Sequence, residues 1–455
     1  MTKKLWGGRF KKEIDKDFFE FQKSIHYDYK LAEYDIIHSL LHIAALKNAG
    51  ILKNGEEKKL SSSLKEILKE IKKGEFKPNF HSEDIHTDIQ NRIEEKVGAL
   101  ALKLHTLRSR NDQIVFDGRF YCVEKALDIA LSLNVFNKSL LSFIAVPFIG
   151  QKFIGYTHTQ RAQVVEFVYY IHAFSAMFRR DLDRLVRFID SLSIYVGAGA
   201  LTGTSLSREN YNKAIKELSY LKDSNKINKI KPTENPLDNV SDRDFVIEFL
   251  SILSIIQMHL SRLAEDFILY STKEFNFIDL PEEFCTGSSL MPHKKNPDFL
   301  ELVRGNTGKV YGNLMSLLTT MKGLPLTYNR DMQLDKEPLF SSVEVVGLEL
   351  KVLSKFIKGI KLNTEVIEKA LEDETLYATD LAEFLVYQGV PFKEAHTIVG
   401  KLVRDVFDKN KKIKEMKDEE LKQYHHALNK TIIQKVMNAE YSVKSKKTLK
   451  RIIPR

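Results

Sequence analysis

The segment from Phe245 to Leu260 constrains this chain more than any other. Phe245, Val246, Ile247, Phe249, Leu250, Ile252, Leu253, Ile255, Ile256, Met258 and Leu260 leave almost no polar face on a helix of 3.6 residues per turn. Such a helix must be covered on most sides. One neighbouring helix cannot do that, whereas a bundle core or a subunit interface can. Ser241, three residues ahead of Asp244, resembles a capping box with Asp in the usual Glu or Gln position. The helix is therefore expected over residues 244–273.

Other segments carry the same period. Leu31, Tyr34, Ile37, Leu40, Leu41 and Ala44 line one helix face, with Gly50 placed as a C-terminal cap. Residues 58–73 form a short amphipathic helix ended by Gly74 and Pro78, residues 113–145 a long one limited by Pro147, and residues 163–191 another. Asn296 suits an N-cap and Pro297 the first helical position of a helix running to Met321, before Gly323 and Pro325. Alternating runs bounded by Asn-Gly or Asp-Gly turns are scarce, so β-structure is expected to be minor. No fixed repeat period stands out. The expected fold is all-α. A chain of 455 residues exceeds one compact core, and three helical domains are expected: 1–107, a central long-helix bundle over 108–358, and 359–455.

Composition excludes several classes. Cys122 and Cys285 cannot build a disulfide framework and suit a reducing cytoplasm. The start, MTKKLWGGRF, shows no apolar signal core, and the apolar runs are too short to span a bilayer, so no membrane partner is expected. The net charge of +9 fits nucleic acid, anionic lipid or an acidic small substrate, but much of the excess lies in residues 444–455, as in a solvated tail. Basic residues are not interleaved with aromatic ones, so no nucleic-acid partner is expected. His425-His426 is read as a solvent-facing pair. No Walker loop, GxGxxG, HExxH or CxxC pattern is found, and no metal site or cofactor is expected.

The most unusual stretch is Gly287-Ser288-Ser289-Leu290-Met291-Pro292-His293-Lys294-Lys295-Asn296-Pro297. A pliable glycine, two hydroxyls and two lysines precede the expected start of a long helix. Lysines and a helix N-terminus together attract anions, and a polar loop there could close over a carboxylate and exclude water. From composition alone the stretch is equally a lysine-rich surface turn and an ordinary cap. The whole string, however, resembles the signature loop of the fumarase/aspartase superfamily, roughly GSSxMPxKxNP.

Further blocks narrow the resemblance to argininosuccinate lyases. They are Leu5-Trp6-Gly7-Gly8-Arg9-Phe10, Ser24 in Ser-Ile-His-Tyr-Asp, Glu83-Asp84-Ile85-His86, His105 to Gln113, Gly155 to Gln163, and Leu324 to Glu337. The resemblance runs from residue 5 to about residue 405 and weakens beyond. Two departures stand out. Leu107 occupies a position where that family usually has Gly, and the family's Gly-Gly ending is replaced by Lys-Arg-Ile-Ile-Pro-Arg.

The resemblance implies elimination of fumarate from argininosuccinate to give arginine, without a cofactor. It also implies a homotetramer whose central helices form a bundle of twenty, with active sites assembled from three subunits. Breaking the C–N bond requires loss of a weakly acidic Cβ proton through an aci-carboxylate carbanion, which fixed donors and positive charge stabilise. By resemblance the base is Ser288, with Lys294, Asn296 and the helix N-terminus around the developing charge. His158 would protonate the leaving nitrogen, alone or through water. Glu301 would orient His158, and Thr157 would bind a carboxylate. Ser24, Arg110 and Asn111 would contact the substrate, and Tyr328, Gln333 and Lys336 would hold its amino-acid end. Taken singly, Ser288 could be only a hydrogen-bond donor, His158 a structural donor, the Arg-Ser-Arg-Asn string a solvated turn and Tyr328 a surface aromatic. Adenylosuccinate lyase, aspartase and fumarase share the serine loop, and a noncatalytic crystallin-like tetramer shares the scaffold. The Trp-Gly-Gly-Arg-Phe start and the 328–336 block argue against the former, and the presence of His158, Ser288 and Lys294 argues against the latter.

Overall fold

In a computed structural model the described residues are 11–145, 148–218 and 227–448. The Trp-Gly-Gly-Arg-Phe block, Pro147 and the final residues of the basic tail lie outside them. The fold is helical, with three two-stranded sheets of short strands. The long helices expected from the sequence are Arg110–Ala145, Phe167–Ser191, Asp244–Ser271 and Asp298–Met321, and Lys336–Phe356 is a fifth that the sequence reading did not single out. The chain divides into two compact units. One holds residues 1–132, 181–258 and 306–348, and the other holds 133–180, 259–305 and 349–455. Each long helix contributes residues to both.

In the first unit, Ala32–Asn48 packs against Asn54–Lys72, Ile85–Val97 and Arg208–Glu217. The expected apolar face is buried apart from half-buried Ile37, but the other side is buried too. Asp35, His38, Ser39 and His42 are all inside. In the second unit, Ala378–Tyr387 packs on Phe392–Asp408, and an antiparallel hairpin pairs Lys152–Thr157 with Gln160–Glu166. Gln163 to Glu166 therefore form strand, not helix. The expected helix starts only at Phe167, where Phe167 packs its ring among Phe143, Phe148, Phe153 and Tyr170.

Most of the apolar series between Phe245 and Leu260 is buried, with Ile247, Ile255 and Met258 half-buried. Arg110–Ala145 and Asp244–Ser271 are in fact long and apolar enough to cross a bilayer. In the latter, 61% of the most apolar window is buried inside the fold, as in the core helix of a water-soluble protein. Its N-terminal cap differs from expectation. Ser241 ends the preceding helix, Pro236–Ser241, and its hydroxyl accepts from the Thr327 amide at 2.8 Å. Asp242 Oδ1 instead accepts from the amides of Arg243 and Asp244, at 2.6 and 3.0 Å.

Candidate active site

The proposed site residues fall into two groups, one in each unit. In the first unit, Ser24 is buried (4% exposed) and its hydroxyl donates to Asp28 Oδ2 at 2.6 Å. Asp28 Oδ1 accepts from the Ile85 amide at 3.1 Å. Burial pushes the Asp28 carboxyl up to about 7, and Asp84 pushes the same way, against Ser24, Lys336 and the Ile85 amide. Gln333 Nε2 donates to the Gln22 carbonyl at 3.0 Å, and its side chain also bonds Tyr27. Lys336 is buried and donates to Asp335 Oδ1 at 2.8 Å, while Arg243 Nε donates to Asp335 Oδ2 at 2.7 Å. Tyr328 is half-buried beside Thr327, whose φ is +77°.

Arg110 and Asn111 open the Arg110–Ala145 helix. Arg110 Nε lies 3.5 Å from Asp84 Oδ2, its Nη2 donates to Thr87 Oγ1 at 3.3 Å, and its Nη1 is buried with no partner among the described residues. Asn111 Nδ2 donates to the Ala200 carbonyl at 3.1 Å. Asp112 accepts from the amides of Gly197 and Ala198 at 3.2 and 3.1 Å, fastening the same loop. Only glycine fits at 199, where φ is +58° and a Cβ would stand 2.2 Å from the Gly203 carbonyl oxygen. Burial raises Asp112 to about 6, with the amides and Arg108 opposing. Leu107 itself takes the left-handed conformation, φ +59°, and its carbonyl accepts from Thr204 Oγ1 at 2.9 Å.

In the second unit, Thr157 and His158 stand at the tip of the hairpin. Thr157 pairs with Gln160, and the two residues between them, His158 and Thr159, have φ of +52° and +59°. That is the geometry of a tight primed turn, here built without Asn or Gly. Both predicted residues are exposed. A depression of about 770 Å³ beside the hairpin is lined by Tyr156, Thr159, Arg161, Phe275 and Asp373 among others, but by no predicted site residue.

The serine loop is pinched at its neck. The Asn296 amide donates to the Thr286 carbonyl at 2.8 Å and the Thr286 amide to the Asn296 carbonyl at 3.3 Å. Asn296 Nδ2 donates to the Gly287 carbonyl at 3.3 Å, so Asn296 ties the neck and does not cap the helix. The helix starts at Asp298, with the Pro297 carbonyl accepting from the Glu301 amide at 3.1 Å, one residue later than expected. Asp298 Oδ2 accepts from the Thr286 amide and hydroxyl at 3.1 and 2.6 Å, taking up the donors opposite. Beyond the neck, Ser288 Oγ accepts from the amides of Met291 and Leu290 at 3.0 and 3.3 Å. Lys295 is engaged with Asp279 at 2.8 Å, whereas the Lys294 amide donates to the Met291 carbonyl at 3.2 Å and its ammonium makes no ion pair or hydrogen bond among the described residues. Leu290 is 85% exposed at the tip. Glu301 is exposed on the first turn of its helix, and no hydrogen bond joins it to His158 among the described residues of this one chain.

Sequence reasoning passed over Asp28, Glu83 and Arg330 as site neighbours. Asp28 was visible only as the residue four after Ser24 on a short helix. The loop that meets Asn111 was marked in the sequence by its uncharged, Gly-rich composition. Among the described residues one group has the donor set for a metal, Asp35, His86 and Asp117, with ligand atoms all within 4.8 Å of one another. His86 Nδ1 already lies at hydrogen-bonding distance, 3.0 Å, from Asp35 Oδ1.

Comparison with known proteins places this geometry. A family described as "Lyase" matches residues 8–312, and one described as "Argininosuccinate lyase C-terminal" matches residues 375–444. The fold is shared with a fumarate lyase:delta crystallin from Brucella melitensis. Its TM-score is 0.76 at 20% identity, over 92% of this chain and 91% of that one. The family match over residues 8–312 thus defines a lyase, on a helical fold. An argininosuccinate lyase of Caldanaerobacter subterraneus subsp. tengcongensis is 44% identical over 98% of both chains. One of Clostridium kluyveri is 43% identical over 92% of this chain and 94% of its own. The chain belongs to the argininosuccinate lyase family.

Proposed function

We propose that this chain eliminates fumarate from argininosuccinate, leaving arginine. The observation that carries the reading is the Ser288 hydroxyl, which accepts from two backbone amides at 3.0 and 3.3 Å in a loop that also carries Lys294, whose ammonium has no ion pair among the described residues. Donors aimed at a hydroxyl oxygen favour its ionised form, and a nearby ammonium favours it further. A serine so placed suits abstraction of the Cβ proton, with Lys294 and the amino end of the Asp298–Met321 helix stabilising the aci-carboxylate. Asn296 would set the loop's neck and, through it, the position of Lys294. His158, on its tight turn beside Thr157, is proposed to protonate the leaving nitrogen, oriented by Glu301 of another protomer. Ser24, Arg110, Asn111, Tyr328, Gln333 and Lys336 are proposed to bind the rest of the substrate.

The proposed assembly is a homotetramer in the cytoplasm, joined through the bundle of residues 108–358 and flanked by domains 1–107 and 359–455. Apolar residues exposed on the long helices support it: Leu131 (65% exposed), Leu302 (65%), Met315 (63%) and Leu348 (63%). Gly305, Gly308 and Gly312 meet nothing on their open side, which leaves room for close approach of another helix. The test offers purified protein argininosuccinate, adenylosuccinate and aspartate while fumarate absorbance is followed. Release from argininosuccinate alone is expected, by a species of four-chain mass. Release from either other substrate and none from argininosuccinate would remove the assignment.

A further inference from the structure

The segment Glu83–Thr87 touches two of the proposed binding residues, Ser24 and Arg110. The Glu83 carbonyl accepts from the Ser24 and Ile25 amides at 2.9 and 3.3 Å, and its carboxylate accepts from Arg330 Nη2 at 3.2 Å. Asp84, which caps the Ile85–Val97 helix by accepting from the Thr87 amide at 2.7 Å, also faces Arg110. The Ile85 amide donates to Asp28, the partner of Ser24, and Thr87 accepts from Arg110. What holds this turn is His86, pointing the opposite way into the unit. Its Nδ1 lies 3.0 Å from Asp35 Oδ1 on the Ala32–Asn48 helix and 3.7 Å from Asp117 Oδ2 on the Arg110–Ala145 helix. Gln113 Nε2 donates to the same Asp35 oxygen at 2.7 Å. Exposure of His86, Asp35 and Asp117 is 2%, 1% and 0%, and neither Asp117 oxygen has a hydrogen-bond partner among the described residues.

Burying two carboxylates around one imidazole is unfavourable beside an apolar trio of similar volume, because desolvation offsets most of the attraction. The arrangement does give direction. A ring held at Nδ1 by residues of two other helices fixes the rotation of the first turn of Ile85–Val97. The contacts from that turn to Arg110 are already long, 3.3 and 3.5 Å, so a shift of about 1 Å would break them.

We propose that Asp35, His86 and Asp117 form a buried clasp that sets the position of the 83–87 turn and, through it, of Ser24 and Arg110, acting as positioning residues for substrate binding. The clasp rests on the function proposed above. Its test is steady-state kinetics with argininosuccinate on the intact protein. His86→Leu removes the Nδ1 contact, whereas His86→Asn puts an amide N–H in its place. For His86→Leu, KM is expected to rise about tenfold or more with kcat within about threefold of wild type, as when uniform binding is lost. In His86→Asn, KM is expected to stay within about threefold of wild type. A folded His86→Leu with wild-type KM, or an asparagine variant no better than the leucine one, overturns the clasp. If His86→Leu is recovered unfolded, Asp35→Ala, which removes the oxygen shared by His86 Nδ1 and Gln113 Nε2, decides. A rise in KM of about threefold or more supports the clasp, and a wild-type KM overturns it. Wild-type protein that does not release fumarate from argininosuccinate would instead remove the function on which the clasp depends.

Discussion

Ser24, Gln333 and Lys336 are held, whereas Thr157, His158 and Lys294 are not. In the first unit three of the proposed binding side chains already have partners: Ser24 has Asp28, Gln333 has the Gln22 carbonyl, and Lys336 has Asp335. In the second unit the proposed reacting groups sit on a hairpin tip and a loop tip, exposed, with local backbone contacts or none. Groups that bind substrate alike in ground and transition states gain from being fixed in advance. Groups that must act only once water is gone are suited to elements that close or are covered. The two regions should therefore fail differently when altered. Loss of a second-unit residue should cost turnover and spare stability, while alterations in the first unit should register in stability and KM.

The largest effect expected is that of Ser288→Ala. Its hydroxyl bonds only to amides of its own exposed loop, so the thermal midpoint should not move. Turnover should fall about 10³-fold, the middle of the range for removing a base. Lys294→Met should cost about 10²-fold in kcat, as loss of one stabilising donor does, again with no change in melting. Comparable turnover in Ser288→Ala and wild type would remove the base assignment. A large drop in melting temperature in either variant would break the contrast between the regions.

Asp28 gives the next effect, and it has a sign. Its carboxyl is held up at about 7 in the fold against an ordinary 3.8, so between these values the unfolded chain has lost a proton that the folded chain keeps. Stability from this group is present below about pH 4 and is lost as pH rises toward 7. Asp112, raised to about 6 by burial, has the same sign, so wild type and variant keep part of the slope in common. Asp28→Asn removes the Asp28 part. An amide can still accept from Ile85, and the Ser24 hydroxyl can turn to accept from it. Urea midpoints at pH 5 and pH 8 should therefore diverge less in the variant than in wild type. A steeper pH dependence in Asp28→Asn would contradict the burial argument.

Much of this architecture was legible. Four of the five long helices follow from apolar period and from Pro and Gly punctuation, whereas Lys336–Phe356 was not read from the sequence. The serine loop stood out because hydroxyls, lysines and a helix start rarely coincide. What escaped notice depended on partners distant in sequence. Period alone cannot show that the polar side of Ala32–Asn48 is also inside, because Asp35 and His38 are accommodated by His86 and Phe116 of other helices. The hairpin escaped because its turn is made by His158 and Thr159, residues that carry no turn signal. Asn296 has the right chemistry for a cap, yet its side chain goes to Gly287 because the loop closes back on Thr286.

Leu107 tests the first unit in another way, since it precedes the segment that carries Arg110 and Asn111. Its φ of +59° places a branched side chain where glycine is at ease, and the side chain is 43% exposed, so little packing is gained in return. A left-handed residue with a Cβ costs roughly 1–2 kcal/mol, and glycine gives back about 0.5–1 kcal/mol of that through its greater chain entropy. Leu107→Gly should therefore raise stability by only about 0.5 kcal/mol, read as a small increase in urea midpoint. The Thr204 bond reaches the backbone carbonyl and survives the change, so KM should stay within about twofold. If KM rises instead while stability improves, the stiffness of Leu107 is part of what holds Arg110 and Asn111 ready. The first unit would then depend on strain as well as on hydrogen bonds.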